Sequence, residues 1–171
     1  IGALYVRRKA PFSPFVHGGH QERGFRGGTE SVPLIVGMGK AAELARKHLP
    51  SYDNKVHPLR DALEDGILNS ILNAELNGHK TNRLANTSNI SFRGIESEAL
   101  LILLDKEGIC ASTGSACLAD SDEPSHVIRA MKPESAASRQ MIRFSLGLEN
   151  REEGLTKTVE AVGKAIAALC S

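Results

Sequence analysis

The 171-residue sequence has almost no net charge, no long apolar run and no CxxC pair. Its 21 Lys and Arg residues nearly balance its 20 Asp and Glu residues, so the composition gives no reason to expect nucleic acid as a partner. The longest apolar run, residues 99–104, is far shorter than the roughly 20 residues that span a bilayer. No signal-peptide pattern opens the chain. We therefore expect no nucleic-acid partner and no membrane partner.

The three cysteines are an odd number without metal-type or disulfide-type spacing, which favours a reducing compartment. Cys110 is expected to pack in the core, and Cys170 to end the last helix without a role. Cys117 differs, because it lies in ASTGSACLAD, residues 111–120, among some of the smallest side chains of the chain. A cysteine that packs usually has large apolar neighbours, and a reactive thiolate needs access. We therefore expect Cys117 to be reachable and reactive; the alternative is a loop cysteine without a role.

Hydrophobic periodicity predicts an α+β unit in which helices pack on a small mixed sheet. The predicted strands are residues 2–6, 89–92, 109–112 and 141–146. The predicted helices are residues 34–49, 54–71, 97–106 and 124–131, and a last helix that follows Asn150. Asn150 is expected to cap this last helix, with Glu153 as the reciprocal partner. There is no internal repeat and no low-complexity segment.

Arg143 is the first candidate binding residue. It shares one face of the predicted strand 141–146 with Met141 and Ser145, opposite the apolar face. The pattern fits a solvent-facing arginine and a fork for a carboxylate or phosphate about equally well.

A glycine-rich segment, HGGHQERGFRGGTE at residues 17–30, predicts a loop that cradles an anion, with Thr29 as a hydroxyl donor. His17 and His20 lie in this loop, but the glycines between them fix no ligand geometry, so we predict no metal site. Lys80 follows a turn-like Asn-Gly pair and is expected on an exposed loop.

Taken in order, six segments of the sequence resemble the C-terminal part of the NifS/IscS-type cysteine desulfurases, and most of all the nitrogen-fixation NifS branch. These segments are GALYVRR, HGGHQERGFRGGTE, LANTSNISFRGIESEALLILLD, ASTGSAC, EPSHVIRAM and IRFSLG. They cover nearly the whole chain, and ASTGSAC followed by PSHV and RFSLG is highly specific. The resemblance implies a homodimeric, fold-type I enzyme of the class-V aminotransferase family, α/β overall, that uses pyridoxal 5'-phosphate (PLP). Such enzymes convert L-cysteine to L-alanine and hold the removed sulfur as a persulfide on their own cysteine.

The resemblance also implies a role for each candidate residue. Cys117 matches the sulfur-accepting nucleophile, Arg143 the arginine that binds the substrate carboxylate, and Thr29 the residue that reaches the cofactor phosphate of the other subunit. Residues 1–50 then correspond to the end of the large PLP-binding domain and a linking helix, and residues 51–171 to the small domain with the cysteine loop. The Schiff-base lysine is expected upstream of Ile1, so the chain alone is expected to be inactive.

The resemblance further implies a cytoplasmic enzyme that supplies sulfur to an iron–sulfur scaffold or another acceptor. Two alternatives stay open: a selenocysteine lyase of the same fold, and a non-catalytic sulfur-carrier or assembly module. One departure from the family is the acidic stretch after Cys117, where Asp120, Asp122 and Glu123 replace small residues.

Overall fold

The computed structural model of the chain describes residues 1–114 and 124–170. The chain forms two compact units, of which the first is Ile1–Leu49 and the second begins at Pro50. The assignment of residues 1–50 and 51–171 to the two domains of a longer enzyme stays a prediction.

The first unit consists of a glycine-rich loop and a long helix, and has very little core. The loop contains a short 3-10 helix, Gln21–Gly24, and helix α1 then runs over Val32–Ser51 without a single buried residue. The strand predicted at residues 2–6 is wrong, since these residues form no strand and are mostly exposed. A strand is stabilised by pairing, and the described part of this unit contains no strand for it to pair with.

The second unit begins with a π-helical turn, Tyr52–Val56, and helix α2, His57–Ser70. Pro58 lies in the first turn of α2, where a missing N–H breaks no helical hydrogen bond. The remaining elements follow in chain order: β1 (Ala74–Leu76), β2 (Thr87–Phe92), α3 (Ser97–Lys106), α4 (His126–Met131), a 3-10 helix (Ala136–Arg139), β3 (Met141–Ser145) and α5 (Glu152–Cys170). The expected α+β organisation is confirmed. None of the helices in the described residues is both long enough and apolar enough to cross a membrane.

The sheet has the strand order β1-β2-β3, and its described strands are antiparallel throughout. We expected a mixed sheet. A loop without a helix joins β1 to β2, which is the connection that antiparallel neighbours allow. In the register of β2 and β3, Ile90 lies opposite Ile142 and Asn89 lies opposite Arg143.

The two faces of the sheet differ in polarity. Ile90, Ile142 and Phe144 are buried in the core together with apolar residues of α2, α3 and α5. Because side chains alternate along a strand, Asn89 and Arg143 lie on the opposite, more polar face. The predicted polar and apolar faces of residues 141–146 are thereby confirmed, and they place Arg143 outside the main core.

Two local predictions near β3 are wrong. Of the strand predicted at residues 109–112, only Ser112 pairs, in an isolated bridge with Arg143. The Asn150 side chain accepts a hydrogen bond from the Gly147 N–H at 2.6 Å, and α5 begins at Glu152. Asn150 therefore closes the turn before the helix and does not act as its cap.

Candidate functional site

Arg143 lies in the middle of a polar row that crosses the sheet. Its N–H donates to the Ser112 carbonyl oxygen at 2.7 Å, and its own carbonyl oxygen accepts from the Ser112 N–H at 3.1 Å. Because both main-chain groups point towards Ser112, the pair that Arg143 forms with Asn89 on its other side is of the non-hydrogen-bonded type. That type brings side chains closer together. Asn89, Arg143 and Ser112 therefore share one face, and we call them the Arg143 row.

The guanidinium group of Arg143 has no partner among the described residues. None of the salt bridges between described residues includes it, and the hydrogen bonds of Arg143 are those of its backbone. The residue is half-buried, and both of its neighbours in the row are neutral. An unpaired guanidinium in such a setting keeps its planar set of donors available for a carboxylate or a phosphate.

A hydrogen-bonded chain holds the Asn89 side chain in place. Asn77 donates from Nδ2 to Asn89 Oδ1 at 2.8 Å and to Ser91 Oγ at 2.6 Å. Asn89 in turn donates from Nδ2 to the Met141 sulfur at 3.1 Å. Asn77 is buried, and its Oδ1 has no partner among the residues that the structure describes.

Asn77 is the asparagine of the Asn-Gly pair that precedes Lys80, on the loop that the sequence predicts to be exposed. Lys80 is indeed exposed, whereas Asn77 is buried because its N–H bonds the Asn89 carbonyl oxygen at 2.8 Å and continues the pairing of β1 with β2. The sequence carries no signal for this, because β1 is only three residues long.

Thr29 lies on the glycine-rich loop of the first unit. Gly27 closes this loop by donating to the Val16 carbonyl oxygen at 2.9 Å, and a Cβ on Gly27 would lie 2.8 Å from the Gly18 backbone. Gly28 has a φ of 99°, which favours glycine, and Thr29 follows it with an exposed side chain. Its hydroxyl and the exposed Arg26 guanidinium are donors that suit a phosphate. The role of Thr29 stays a prediction.

Cys117 lies outside the described residues, but the chain on either side of it is attached to the second unit. Ser112, five residues before Cys117 in the sequence, pairs with Arg143. On the other side, the Ser125 N–H donates to the Ser138 carbonyl oxygen at 3.0 Å, and Ser125 Oγ caps α4. The segment that carries Cys117 therefore starts beside Arg143.

The other two cysteines are both exposed. For Cys110 this corrects the expected core position. Ile109 and Ala111 pack against the core, and Cys110 between them faces away from it. Among the described residues no group of three metal-ligating side chains comes together, at His17 and His20 or elsewhere.

Comparison with known families defines the class of this protein. The model of the class-V aminotransferase family matches residues 1–157, and the chain belongs to that family.

Individual relatives narrow the comparison to cysteine desulfurases. The chain is 50% identical over 169 residues to the cysteine desulfurase of Gluconacetobacter diazotrophicus, and 47% identical over 169 residues to the cysteine desulfurase NifS of Azotobacter vinelandii. In both cases the match covers 99% of this chain and 42% of the relative. A solved NifS-like protein is 32% identical with a TM-score of 0.82, over 96% of this chain and 41% of that one. The chain thus spans about two fifths of the length of the curated relatives it matches.

Proposed function

We propose that this chain is the part of a PLP-dependent cysteine desulfurase that holds the substrate carboxylate and accepts its sulfur. The observation that carries the proposal is the Arg143 guanidinium, which has no partner among the described residues and lies on the strand that pairs with Ser112, where the Cys117 segment begins. Relatives of about 50% identity that are named cysteine desulfurases support the same activity. The complete protein, with the regions that these relatives have and this chain lacks, would perform the reaction.

In this proposal Arg143 binds and orients L-cysteine. Two parallel N–H donors of its guanidinium would take the two oxygens of the substrate carboxylate, a geometry that fixes direction as well as affinity. The two-way backbone bonding to Ser112 keeps this part of the strand fixed. Substrate placement therefore depends on a rigid element, which favours a reproducible reacting geometry.

Cys117 would then take up the sulfur. Its thiolate attacks the sulfur of the bound cysteine, an S–S bond forms, and the C–S bond of the substrate breaks. The electron pair of the broken bond stays on the carbon fragment, which takes up a proton and leaves as L-alanine, while Cys117 keeps a persulfide. Neither an external oxidant nor a reductant is needed, because the oxidation of sulfur to the persulfide level is balanced by the reduction of the substrate β-carbon, whose C–S bond becomes a C–H bond.

Thr29 would contact the phosphate of PLP. The exposed hydroxyl of Thr29, the Arg26 guanidinium and the tightly closed glycine loop fit a phosphate group. When bound, PLP supplies a sink for the electrons of the substrate α-carbon. By the family resemblance, the lysine that attaches it lies outside this chain, and Thr29 serves the other subunit of a homodimer.

The proposal extends to sulfur delivery. A persulfide on Cys117 would be handed to an iron–sulfur scaffold or another thiol acceptor in the cytoplasm. Similarity to the NifS of Azotobacter vinelandii supports a role in nitrogen fixation.

The test is the KM for L-cysteine in the full-length protein that carries this chain. Replacing Arg143 with Ala removes charge-assisted hydrogen bonds worth about 1.5–3 kcal/mol, so KM should rise by roughly one to two decades. Cofactor absorbance should persist, and Arg129→Ala, which removes an exposed arginine on α4, should leave KM unchanged. An unchanged KM in Arg143→Ala, or no alanine release by the unaltered protein, would contradict the proposal.

A further inference from the structure

We propose that Asn89 is a positioning residue for Arg143, and that its neutral amide keeps the guanidinium free for the substrate carboxylate. This inference rests on the proposed function and adds a specificity determinant to it. Three observations carry it: the pairing of the two residues, the fixed amide of Asn89, and the charges on this face of the sheet.

The pairing places the two side chains next to each other. Residues in a directly opposed antiparallel pair have Cβ atoms about 4.5–5.5 Å apart, and non-hydrogen-bonded pairs are the closer kind. Asn89 and Arg143 form such a pair, and Ser112 bounds Arg143 on the other side. The aliphatic part of the Arg143 side chain therefore lies between Asn89 and Ser112.

The amide of Asn89 is held at both of its polar atoms. Its Oδ1 receives the hydrogen bond of the buried Asn77, and its Nδ2 donates to the Met141 sulfur. Asn77 is itself fixed, because its N–H bonds the Asn89 carbonyl oxygen and its Nδ2 also bonds Ser91. Asn89 thus restricts the position of the Arg143 side chain, while its own Oδ1 is hydrogen-bonded to Asn77 and not to the guanidinium.

Within residues 1–114 and 124–170, the charges on the same face leave Arg143 without a competing anion. The acidic side chain on this face of the described strands is Glu75, which lies opposite Ser91 and pairs with Lys132 at 2.6 Å. The residues flanking Arg143 in its row are an amide and a hydroxyl. A carboxylate at position 89 would have the same size as the amide and would lie beside the guanidinium.

The test therefore replaces Asn89 with Asp in the full-length protein. The new carboxylate should pair with Arg143 and compete with the substrate, raising KM for L-cysteine about 10- to 100-fold while kcat changes less than about twofold. The equilibrium dissociation constant for L-alanine, a thiol-free carboxylate ligand, should rise by a similar factor. Asn89→Ala adds no charge. The factor by which it raises KM and the dissociation constant should be several-fold smaller than the factor for Asn89→Asp.

Two further variants separate positioning from a structural effect. Asn73→Asp makes the same chemical change at an exposed site before β1 and should leave both constants unchanged. Asn77→Ala removes the donor that holds Asn89 without touching Arg143, and should raise both constants about three- to tenfold. If Asn89→Asp does not fold, Asn77→Ala still tests whether Asn89 positions Arg143. Its matched control is Ser88→Ala, which removes from the core face a buried hydroxyl without a described hydrogen-bond partner and should leave both constants unchanged.

Two results would overturn the inference. One is an equal effect of Asn89→Asp and Asn89→Ala on KM. The other is unchanged constants in Asn77→Ala together with a raised KM in Arg143→Ala, which would leave the proposed function standing without this positioning role. If Arg143→Ala also leaves KM unchanged, the proposed function itself fails.

Discussion

At the scale of single residues, one electrostatic feature is a buried carboxylate that lies between two arginines. Glu64 contacts Arg83, and it lies 3.7 Å from Arg60, one turn earlier on α2. Burial, followed by the positive charge of Arg60, lowers the pKa of Arg83, while Asp61 raises it. The carboxylate of Glu64 therefore offsets the repulsion between two arginines that are mostly removed from water.

We predict that Glu64→Gln lowers the free energy of unfolding by about 3–5 kcal/mol, because it leaves the largely buried Arg83 without its carboxylate partner, while Arg60 keeps Asp61 at 2.7 Å. Urea unfolding followed by circular dichroism measures this loss. Glu75→Gln is the control, because Glu75 is 71% exposed in its pair with Lys132 and should contribute less than about 1 kcal/mol. Equal losses in the two variants would contradict the prediction.

A second prediction at this scale concerns Cys117. After the full-length protein has reacted with L-cysteine, mass spectrometry should find one added sulfur on the peptide that contains Cys117. Cys110→Ser should leave this modification in place, although Cys110 is exposed and precedes Cys117 by only seven residues. Added sulfur on Cys110 or Cys170, with none on Cys117, would show that the nucleophile has been misassigned.

At the scale of elements, α2 and α5 approach each other closely at Gly66. A Cβ built on Gly66 would lie 2.8 Å from Cγ2 of Val159, so the contact depends on the missing side chain. Gly66→Ala gains helix propensity of up to about 1 kcal/mol, but it forces a β-branched, stiff neighbour to move. Overpacking of this kind costs about 1–3 kcal/mol.

We therefore predict that Gly66→Ala lowers the free energy of unfolding by about 1 kcal/mol. Adding Val159→Ala should reverse the sign of the Gly66→Ala effect, so that the double variant is more stable than Val159→Ala alone. A double-mutant cycle by urea unfolding measures this coupling. If the effect of Gly66→Ala is the same with Val159 and with Ala at that position, the packing argument is wrong.

Elements with strong local patterns could be predicted from the sequence. Helix α3 spans the predicted residues 97–106, and residues 89–92 and 141–146 lie in or next to strands. Elements that depend on distant partners could not be predicted: β1 has only three residues, too few to define a strand pattern, and residues 2–6 are apolar but unpaired. Strand formation depends on pairing as well as on composition.

At the scale of the whole molecule, the same distinction applies to the candidate site. Alternation along residues 141–146 placed Arg143 on the polar face, because that information is local. Asn89 was missed, since its proximity to Arg143 depends on the register of two strands that are far apart in the sequence. The Asn77 contact was missed for the same reason.

The distribution of buried residues predicts which part of the chain folds independently. Within residues 1–49 only Gly27 is buried, whereas the hydrophobic core extends from Val56 to Ala165. Apolar side chains of α1 are exposed, and exposed apolar surface of this kind promotes association. The large exposed apolar side chains of α1 are Val32, Leu34, Ile35, Val36, Met38, Leu44 and Leu49.

We predict that residues 50–171 expressed alone unfold cooperatively in urea, with a midpoint close to that of the complete 171-residue chain. The complete chain should self-associate more strongly than residues 50–171, and sedimentation velocity over a concentration series measures the difference. Replacing Leu34, Ile35 and Met38 together with Gln should reduce this association while the urea midpoint stays unchanged, because none of the three side chains belongs to the core. Loss of the cooperative transition in residues 50–171 would show that the first unit stabilises the second. A monomeric complete chain would show that the exposed face of α1 does not drive association.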